Sequence, residues 1–246
     1  VDQHVPATVA TQSGPAVRLV DYDPAGEDKV ITGMLYNAPN THRAWEDIFS
    51  QVQAMSNSEK NEILSAYLAG RDQRWQKVGR AFENSFVRFE ITMNIGSWRD
   101  LHRHRMQTQQ RQHFTTEHGY DTPPELVEAG LAEPYRQAMS QAEQVYAAIA
   151  QHDQDLAQYA VTMAHRVQFM QYANLRSCFW ELELRTIPEG HPDYRAIEQE
   201  KFRLLEQVYP LVTQHMRVNL EDYTFARRGQ EEKIQSKLKE LNQQKI

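Results

Sequence analysis

The chain has 246 residues, of which 24% are charged and 40% are hydrophobic, and its formal net charge at pH 7 is −6. This composition predicts one large globular domain, or one domain with a tail, and it argues against the broad basic face that general nucleic-acid binding needs. The single cysteine excludes an internal disulfide and every multi-cysteine metal motif. Since there is no run of about 18 apolar residues and no signal-peptide pattern, we expect a cytoplasmic protein without membrane insertion. Because the first residue is Val1, we also expect a chain that was processed, trimmed or cut from a longer one.

The first third of the chain is predicted to contain one strand and three helices. Residues 1–15 mix Pro, Thr, Ser and Gln without a period, which is typical of a linker-like arm. An apolar run at residues 17–22 predicts the first strand, and residues 27–36 are typical of a helix. From residue 41 to residue 55, apolar side chains recur at the spacing of one helical face, and Ser58 is predicted to cap a further helix.

The middle of the chain is predicted to hold a strand that leads into a short helix. Residues 86–93 alternate with an imperfect period of two, which is typical of a strand. Ser97 is predicted to cap the helix that follows, with Asp100 three residues later completing a capping box. Residues 122–125, Thr-Pro-Pro-Glu, predict another capping box, and a longer amphipathic helix is expected over residues 135–149.

The last third is predicted to add one strand and several helices. Residues 166–172 are typical of a third strand, residues 174–185 of a helix, and a long helix is expected from Pro192 with a kink at Pro210. Residues 221–246 are strongly polar with a narrow apolar stripe, which predicts a C-terminal helix that docks or seeks a partner. Many helices around a few strands indicate an α/β or α+β domain.

A basic segment at residues 99–120 contrasts with the acidic chain around it. Such a concentration of cations usually faces an anion, although basic side chains in a last helical turn also stabilise the helix carbonyls by about 0.3–1 kcal/mol each. The chain has no glycine-rich phosphate loop, so a bound phosphate must be held by side chains, and arginine is suited to this. The basic residues of the segment include Arg99, His102, Arg103, His104, Arg105 and Arg111.

Four histidines in the same segment raise the alternative of a metal site. Imidazole suits zinc, copper and nickel, and two histidines two residues apart can share one face of a strand. The flanking guanidinium groups would repel a divalent cation, and no carboxylate pattern completes a site, so we expect no metal. The histidines are His102, His104, His113 and His118.

Three short motifs resemble the flavin-dependent thymidylate synthase (ThyX) family. They are Arg103-His104-Arg105, Asn174-Leu175-Arg176-Ser177 and Glu183-Leu184-Arg185. The resemblance covers roughly residues 16–220 and implies a small, mostly antiparallel sheet flanked by many helices. It also implies a homotetramer that shares its active sites between subunits, with a tandem ThyX-like protein as the alternative.

The resemblance implies that four residues bind FAD and that one binds the nucleotide. In the family the R-H-R residues hold FAD, which implies that role for Arg103, His104 and Arg105, and the asparagine that matches Asn174 contacts the flavin. Arg185 matches a nucleotide-binding arginine. Each assignment has a structural alternative, because cations can form a structural cluster, Asn174 can cap a helix, and Arg185 can serve as a cation at a helix end.

The activity that the resemblance implies is the reductive methylation of dUMP to dTMP. Methylenetetrahydrofolate gives the carbon, and FAD reduced by NADPH gives the hydride. Six positions that grip the substrate in the family are changed here, which predicts slow or absent dTMP synthesis. If the chain nonetheless turns over dUMP at a normal rate, Arg111 and His113 are expected to form a substitute phosphate site with Arg185. The alternatives are a non-catalytic ThyX-like module that supports a catalytic partner domain, or a flavoenzyme with a different substrate. The changed positions are Asn84, Asp100, Arg111, His113, Thr115 and Gln158.

Overall fold

The computed structural model describes residues 16–222 together with residues 234 and 236–238. The predicted arm at residues 1–15 and most of the predicted C-terminal helix at residues 221–246 lie outside the described residues. Within the described part, four strands form one antiparallel sheet surrounded by helices. This confirms the predicted mixed α/β fold with a small antiparallel sheet.

The sheet has the strand order β1-β2-β4-β3, with every neighbouring pair antiparallel. Its two central strands are the two that the alternating pattern predicted, and both extend to a terminal asparagine that the prediction left out of the strand. Their inward side chains are buried, because each central strand places every second residue against the core. The strands are β1 (Ala16–Tyr22), β2 (Phe86–Asn94), β3 (Thr108–Arg111) and β4 (Arg166–Asn174).

Ten α-helices and two short 3-10 helices are found in the described chain, and none of these helices is long and apolar enough to cross a membrane. The 3-10 helices lie at Arg80–Asn84 and Gln158–Ala160. The α-helices are α1 (Gly26–Tyr36), α2 (Trp45–Gln53), α3 (Asn57–Leu68), α4 (Ile95–Leu101), α5 (Pro124–Glu128), α6 (Ala132–Ala150), α7 (Gln154–Ala157), α8 (Leu175–Arg185), α9 (Pro192–Val208) and α10 (Pro210–Thr213).

The core lies where α8 and α9 pack against the sheet. Phe89 and Phe169 from the central strands are each 1% exposed, and Phe82 of the first 3-10 helix meets Phe179 of α8 edge-on, with ring centroids 4.9 Å apart. Full burial of such a side chain stabilises the fold by about 1.5–3 kcal/mol. These contacts hold α8 in a fixed position beside the first 3-10 helix.

An asparagine ends each central strand and caps the helix that follows. Asn94 Oδ1 accepts a hydrogen bond from the backbone N–H of Ser97 at 2.8 Å, and Asn174 Oδ1 accepts one from Ser177 at 2.9 Å. Since β2 and β4 are antiparallel, with Phe86 opposite Asn174, α4 and α8 begin at opposite ends of the sheet. The capping role that was weighed for Asn174 is therefore confirmed.

Some predicted helix starts were wrong by a few residues. Ser97 was predicted to cap the short helix, but the chain passes from β2 directly into α4 and leaves no room for a separate cap after Asn94. Ser56, rather than Ser58, caps α3, where it forms a capping box with Glu59. A serine two residues earlier has the correct spacing to that carboxylate.

Two proline-containing segments also differ from the prediction. The capping box expected from Thr122 is absent, because Pro123 occupies the cap position of α5 and the structure shows no side-chain hydrogen bond there. Pro210 does not kink one long helix. Instead, α9 ends at Val208, Tyr209 lies between the two helices, and Pro210 begins α10, as expected for a residue that lacks a backbone N–H.

Candidate active site: a basic cleft beside the Arg-His-Arg segment

A cleft of about 810 Å³ opens where β4 ends and α8 begins. Its other walls are the segment between α4 and β3 and the segment between α3 and the first 3-10 helix. Among the described residues that line it, one carboxylate, Glu83, faces eight basic side chains. This positive lining in a protein of net charge −6 suits a polyanionic ligand. The basic residues are Arg71, Arg74, Lys77, Arg80, Arg103, Arg105, Arg176 and Arg185.

The structure brings five of the seven residues predicted to bind cofactor or substrate to this one cleft. Three of them follow α4, and the other two begin and end α8, some seventy residues later in the chain. The fold joins them because β2 and β4 pair and α8 returns past the segment that follows α4. The five are Arg103, His104, Arg105, Asn174 and Arg185.

The two arginines of the Arg-His-Arg segment are largely free to meet a ligand. Arg103 Nη1 lies 3.5 Å from the carboxylate of Asp100, and both side chains are more than one third exposed. Such an exposed pair contributes little to stability. Arg105 is exposed and makes no ion pair with any residue that the structure describes. Two guanidinium groups can therefore turn toward an anion in the cleft without breaking a strong contact.

The side chain of His104 is held in place by a hydrogen bond from Arg185 at the end of α8. Arg185 Nε donates to His104 Nε2 at 2.8 Å, and Arg185 Nη2 donates to the backbone oxygen of Asp100 at 2.6 Å. Burial lowers the pKa of His104, and the positive charge of Arg185 lowers it further. Because Nε2 accepts a hydrogen bond, the neutral ring carries its proton on Nδ1, which leaves one N–H donor. Arg185 thus stabilises the position of the Arg-His-Arg segment through hydrogen bonds. It was itself predicted to bind the nucleotide.

Asn174 uses only part of its side chain in capping α8. Its Oδ1 accepts from Ser177, while its amide nitrogen makes no hydrogen bond to any described residue. A side-chain amide has one acceptor oxygen and two donor hydrogens, so the same residue can cap a helix and donate to a ligand. The capping and ligand-binding interpretations of Asn174 are compatible.

The opposite wall of the cleft, which lies between α3 and the first 3-10 helix, was not predicted from the sequence. Arg71 forms a buried ion pair with Glu183, and Arg176 Nη1 donates to Glu83 at 2.7 Å. These pairs hold the first 3-10 helix and the segment before it against α8. The available signal was the density of cations in residues 71–80, where Arg71, Arg74, Lys77 and Arg80 occur within ten residues.

A buried ionic cluster lies behind the cleft. Lys201 Nζ lies 2.7 Å from Glu181 and 3.0 Å from Glu198, and all three side chains are at most 1% exposed. Gln107, which lines the cleft, donates to Glu181 at 2.9 Å. The whole side chain of Lys201 is buried, because the two carboxylates allow its ammonium group to leave water.

The ionic cluster shifts the pKa values of its members. Burial, together with the nearby carboxylate of Glu181, raises the pKa of Glu198 to about 8. Burial opposes the charge on Lys201, but the two carboxylates raise its pKa overall. Burial also opposes ionisation of Glu181, yet the ammonium of Lys201 holds the pKa of that carboxyl below its usual value. Near pH 7 the cluster therefore carries one ionised carboxylate, one ammonium and one protonated carboxyl group.

The other two predicted substrate residues lie outside the cleft in this chain. The guanidinium of Arg111 sits 4.1 Å from the ring centroid of Phe114, and its Nη1 donates to the backbone oxygen of Gln112 at 2.8 Å. His113 is exposed, with Nδ1 3.7 Å from the carboxylate of Asp155. The expected phosphate site of Arg111, His113 and Arg185 is thus not brought together within one chain.

The four histidines of the basic segment have four different neighbours. The ring of His102 stacks on Trp98, and His104 contacts Arg185. His113 faces Asp155, while His118 is buried beside Gln112. Across the described ranges, no group of three or more His, Cys, Asp or Glu side chains is placed to hold a metal ion.

The single cysteine, Cys178, lies inside α8 and is buried. Burial raises the pKa of its thiol to about 12. A thiol with such a pKa is protonated at neutral pH and reacts poorly as a nucleophile. Any chemistry in the adjoining cleft must therefore proceed without it.

Comparison with known proteins gives a consistent family. The family model described as thymidylate synthase complementing protein matches residues 18–211. A UPF0159 protein of Chlamydia pneumoniae is 34% identical over 220 residues, which are 89% of this chain and 41% of that protein. A UPF0159 protein of Thermoplasma acidophilum is 35% identical over 216 residues, which are 86% of this chain and 43% of that protein. The chain spans about two fifths of the length of these curated relatives.

A solved structure shares the fold. The UMP/dUMP methylase PolB from Streptomyces cacaoi, bound with 5-Br UMP, matches with a TM-score of 0.62 and 14% sequence identity. The match covers 82% of this chain and 93% of that chain. At this level of identity the likeness shows a common architecture.

Proposed function

The chain belongs to the thymidylate synthase complementing protein (ThyX) family, and from this premise we propose that its basic cleft binds FAD. The observation that carries the proposal is the meeting of Arg103, His104, Arg105, Asn174 and Arg185 in one cleft with a strongly positive lining. These five residues are not all neighbours in the sequence. Three of them follow α4 and two lie at the start and the end of α8, so the fold brings them together.

The residues fit the chemistry of FAD. A volume of about 810 Å³ is within the range of about 300–1,000 Å³ that is usual for small-molecule sites. The pyrophosphate of a dinucleotide is an anion, and Arg103 and Arg105 can offer bidentate hydrogen bonds to it. His104 Nδ1–H and the free amide of Asn174 supply neutral donors of the kind that ring carbonyl oxygens accept. The cleft thus contains partners for both the charged and the neutral acceptors of the cofactor.

Bound FAD would supply the hydride in a reductive methylation of a uracil nucleotide. The chain's own contribution is to bind and orient. Arg185 fixes the ring of His104, and the capped start of α8 fixes the amide of Asn174. Gln107 anchors the end of the Arg-His-Arg segment to the buried ionic cluster, so that segment is held at both ends. A prearranged site of this kind avoids reorganisation when a ligand enters.

We propose that dUMP is a poor substrate of this chain alone. Gln158 stands where the family has an arginine, and its Oε1 accepts from the backbone N–H of Phe114 at 3.1 Å, which is a structural role. Asp100 places a carboxylate next to Arg103. A second candidate function, a ThyX-like module that supports a catalytic partner domain, is favoured by one observation, namely that the matched relatives are more than twice as long as the matched region.

The proposal is tested by titrating FAD into the parent and into Arg103→Ala/Arg105→Ala, with flavin fluorescence as the readout. Charge-assisted hydrogen bonds contribute roughly 1.5–3 kcal/mol each, so the double variant should bind about two to four decades more weakly. The matched control is Arg136→Ala/Arg203→Ala, which removes two surface guanidinium groups that pair with Glu133 and Glu200 away from the cleft. No binding by the parent, or equal losses in the two double variants, contradicts FAD binding at this site.

A further inference from the structure

One aromatic face in the cleft has no part in the function proposed so far. Trp180 of α8 lines the cleft and is 39% exposed. Arg176, Ser177 and Leu184 line the same cleft. They lie four residues before, three before and four after Trp180, so this is one face of the helix. The ring is therefore presented to the cleft by a rigid helix rather than by a loop.

A lysine covers that aromatic face. Lys77 Nζ lies 5.5 Å from the centroid of the Trp180 ring. Lys77 comes from the opposite wall, the segment between α3 and the first 3-10 helix, as does Arg74. Neither Lys77 nor Arg74 forms an ion pair with any residue in the described part of the chain. By contrast, Arg71 of the same segment and Arg80 at the start of the first 3-10 helix are each paired with a glutamate.

The contact between Lys77 and Trp180 is of a kind that a ligand can replace. An exposed cation–π contact is among the weaker contacts in proteins, whereas a base stacked on an aromatic side chain is bound more strongly. A flat ring that enters the cleft can thus displace the ammonium from Trp180. The displaced ammonium, together with Arg74, then becomes available for an anion attached to the ring. An aromatic ring that carries a phosphate is the chemistry of a nucleotide.

We propose that Trp180 is a stacking platform for a heteroaromatic ring of the bound nucleotide, and that Lys77 moves from the tryptophan face to the phosphate next to that ring. This inference rests on the proposed function of the cleft and deepens it by naming a subsite. The shared chemistry is a ring plus phosphate, which both the flavin half and the adenine half of FAD provide. Arg74 is the second cation of the subsite.

The test measures the affinities of FAD, FMN and ADP for the parent, Trp180→Ala and Trp180→Phe, by isothermal calorimetry and by quenching of tryptophan emission. Loss of the stacking face should weaken binding of FAD by about 5- to 100-fold in Trp180→Ala, while Trp180→Phe should stay within about threefold. The matched control is Trp75→Ala, because Trp75 is 62% exposed and lies in the same segment as Arg74 and Lys77 but does not line the cleft. Thermal melts of all variants check folding.

The probes also locate the ring and test the lysine. A loss with FMN in Trp180→Ala assigns the platform to the flavin ring, a loss with ADP assigns it to the adenine ring, and either supports the proposal. Lys77→Met should weaken binding of the same probe, FMN or ADP, by about tenfold. It should leave riboflavin, which has no phosphate, unchanged if the flavin ring stacks.

Two results would overturn the inference, and they are distinguishable from each other. If the parent binds any of the three probes and Trp180→Ala binds each within about twofold of the parent, the stacking platform is wrong while FAD binding stands. If the parent binds none of them, the platform and the proposed function both fail.

Discussion

Replacing Glu198 with glutamine tests the protonation of the buried cluster. Glu198 and Glu181 both contact the ammonium of Lys201, and one ammonium can neutralise only one carboxylate. Because Glu198 is buried beside a second carboxylate, its pKa is raised from 4.5 to about 8. The folded protein should therefore hold a proton on this side chain at pH 7, as a neutral hydrogen-bonding group that glutamine resembles in shape.

The sign and size of the effect follow from proton linkage. Between pH 4.5 and about 8 the unfolded chain has lost this proton and the folded chain has kept it, so the free energy of unfolding falls as the pH rises. One pKa unit corresponds to about 1.36 kcal/mol, so between pH 5.5 and 8 the fall attributable to Glu198 is about 3 kcal/mol. That is a large part of the 5–15 kcal/mol typical of a folded domain. Glu198→Gln cannot ionise and should lack this fall.

The assay is urea unfolding of both proteins at intervals from pH 5.5 to pH 8.5. The stability of Glu198→Gln relative to the parent should rise with pH by about 3 kcal/mol, since contributions from other groups cancel in the difference. Glu200→Gln is the control, because the Glu200 side chain is about half exposed and, within the described part of the chain, forms an ion pair with Arg203 alone. Lys201→Met should be destabilising by about 3–5 kcal/mol at pH 7, as it leaves a buried carboxylate unpaired. A difference between parent and Glu198→Gln that does not change with pH would refute the protonated state of Glu198.

Two further expectations concern assembly and activity. Family sites are built between subunits, and Arg111 and His113 lie outside the cleft of their own chain, so we expect self-association to a tetramer. Light scattering should give several times the monomer mass of 28.7 kDa, and a monomer at every concentration would contradict it. We also expect dUMP to bind about two to four decades more weakly than it binds to an intact family member. Tritium release from 5-labelled dUMP, with methylenetetrahydrofolate, FAD and NADPH, should then be more than about tenfold below that family member. The resemblance places Thr115 and Gln158 where the family has arginines, each worth roughly 1.5–3 kcal/mol, so turnover within about tenfold of that control would contradict the expectation.

The central strands could be predicted from sequence because the alternation of apolar and polar residues is visible within each strand. Alternation from Phe86 onward and from Arg166 onward records which side chains face the core, and both strands are present. The predictions of helix starts were less accurate, since several polar residues near the start of a helix can each serve as its N-cap. The choice of Asn94 over Ser97 depends on how far β2 extends, which the pairing with β4 determines.

The candidate site was predictable only in part. The meeting of the Arg-His-Arg segment with Asn174 and Arg185 followed from the resemblance, because no local rule relates residues some seventy positions apart. The burial of Lys201 could not be foreseen, since a lysine usually extends its charge to water. What reverses that preference is Glu181, twenty residues earlier and on a different helix. The sequence shows several cations close together in the segment that contains Lys77. Such a run of charges does not by itself show whether the side chains line a cleft or face solvent.

The two asparagine-capped strands are related by an approximate twofold rotation. Val87, Phe89, Asn94 and Ser97 recur, with the same spacing and an offset of eighty residues, as Val167, Phe169, Asn174 and Ser177. Glu90 pairs with Met170, which has the same offset, so the axis passes between these two residues.

The rotation relates two strand–helix corners, but only one of them is open. At the other corner, Asn94 Nδ2 donates to Asp193 at 2.7 Å and to Asp121 at 2.9 Å, and Arg166 Nε donates to Asp121 at 2.6 Å. The amide that is free at Asn174 is thus occupied at Asn94 by the protein's own carboxylates. One corner of this quasi-symmetric pair is closed by acidic side chains, and its counterpart opens into the basic cleft, so among the described residues two similar strand–helix units form one structural joint and one candidate ligand site.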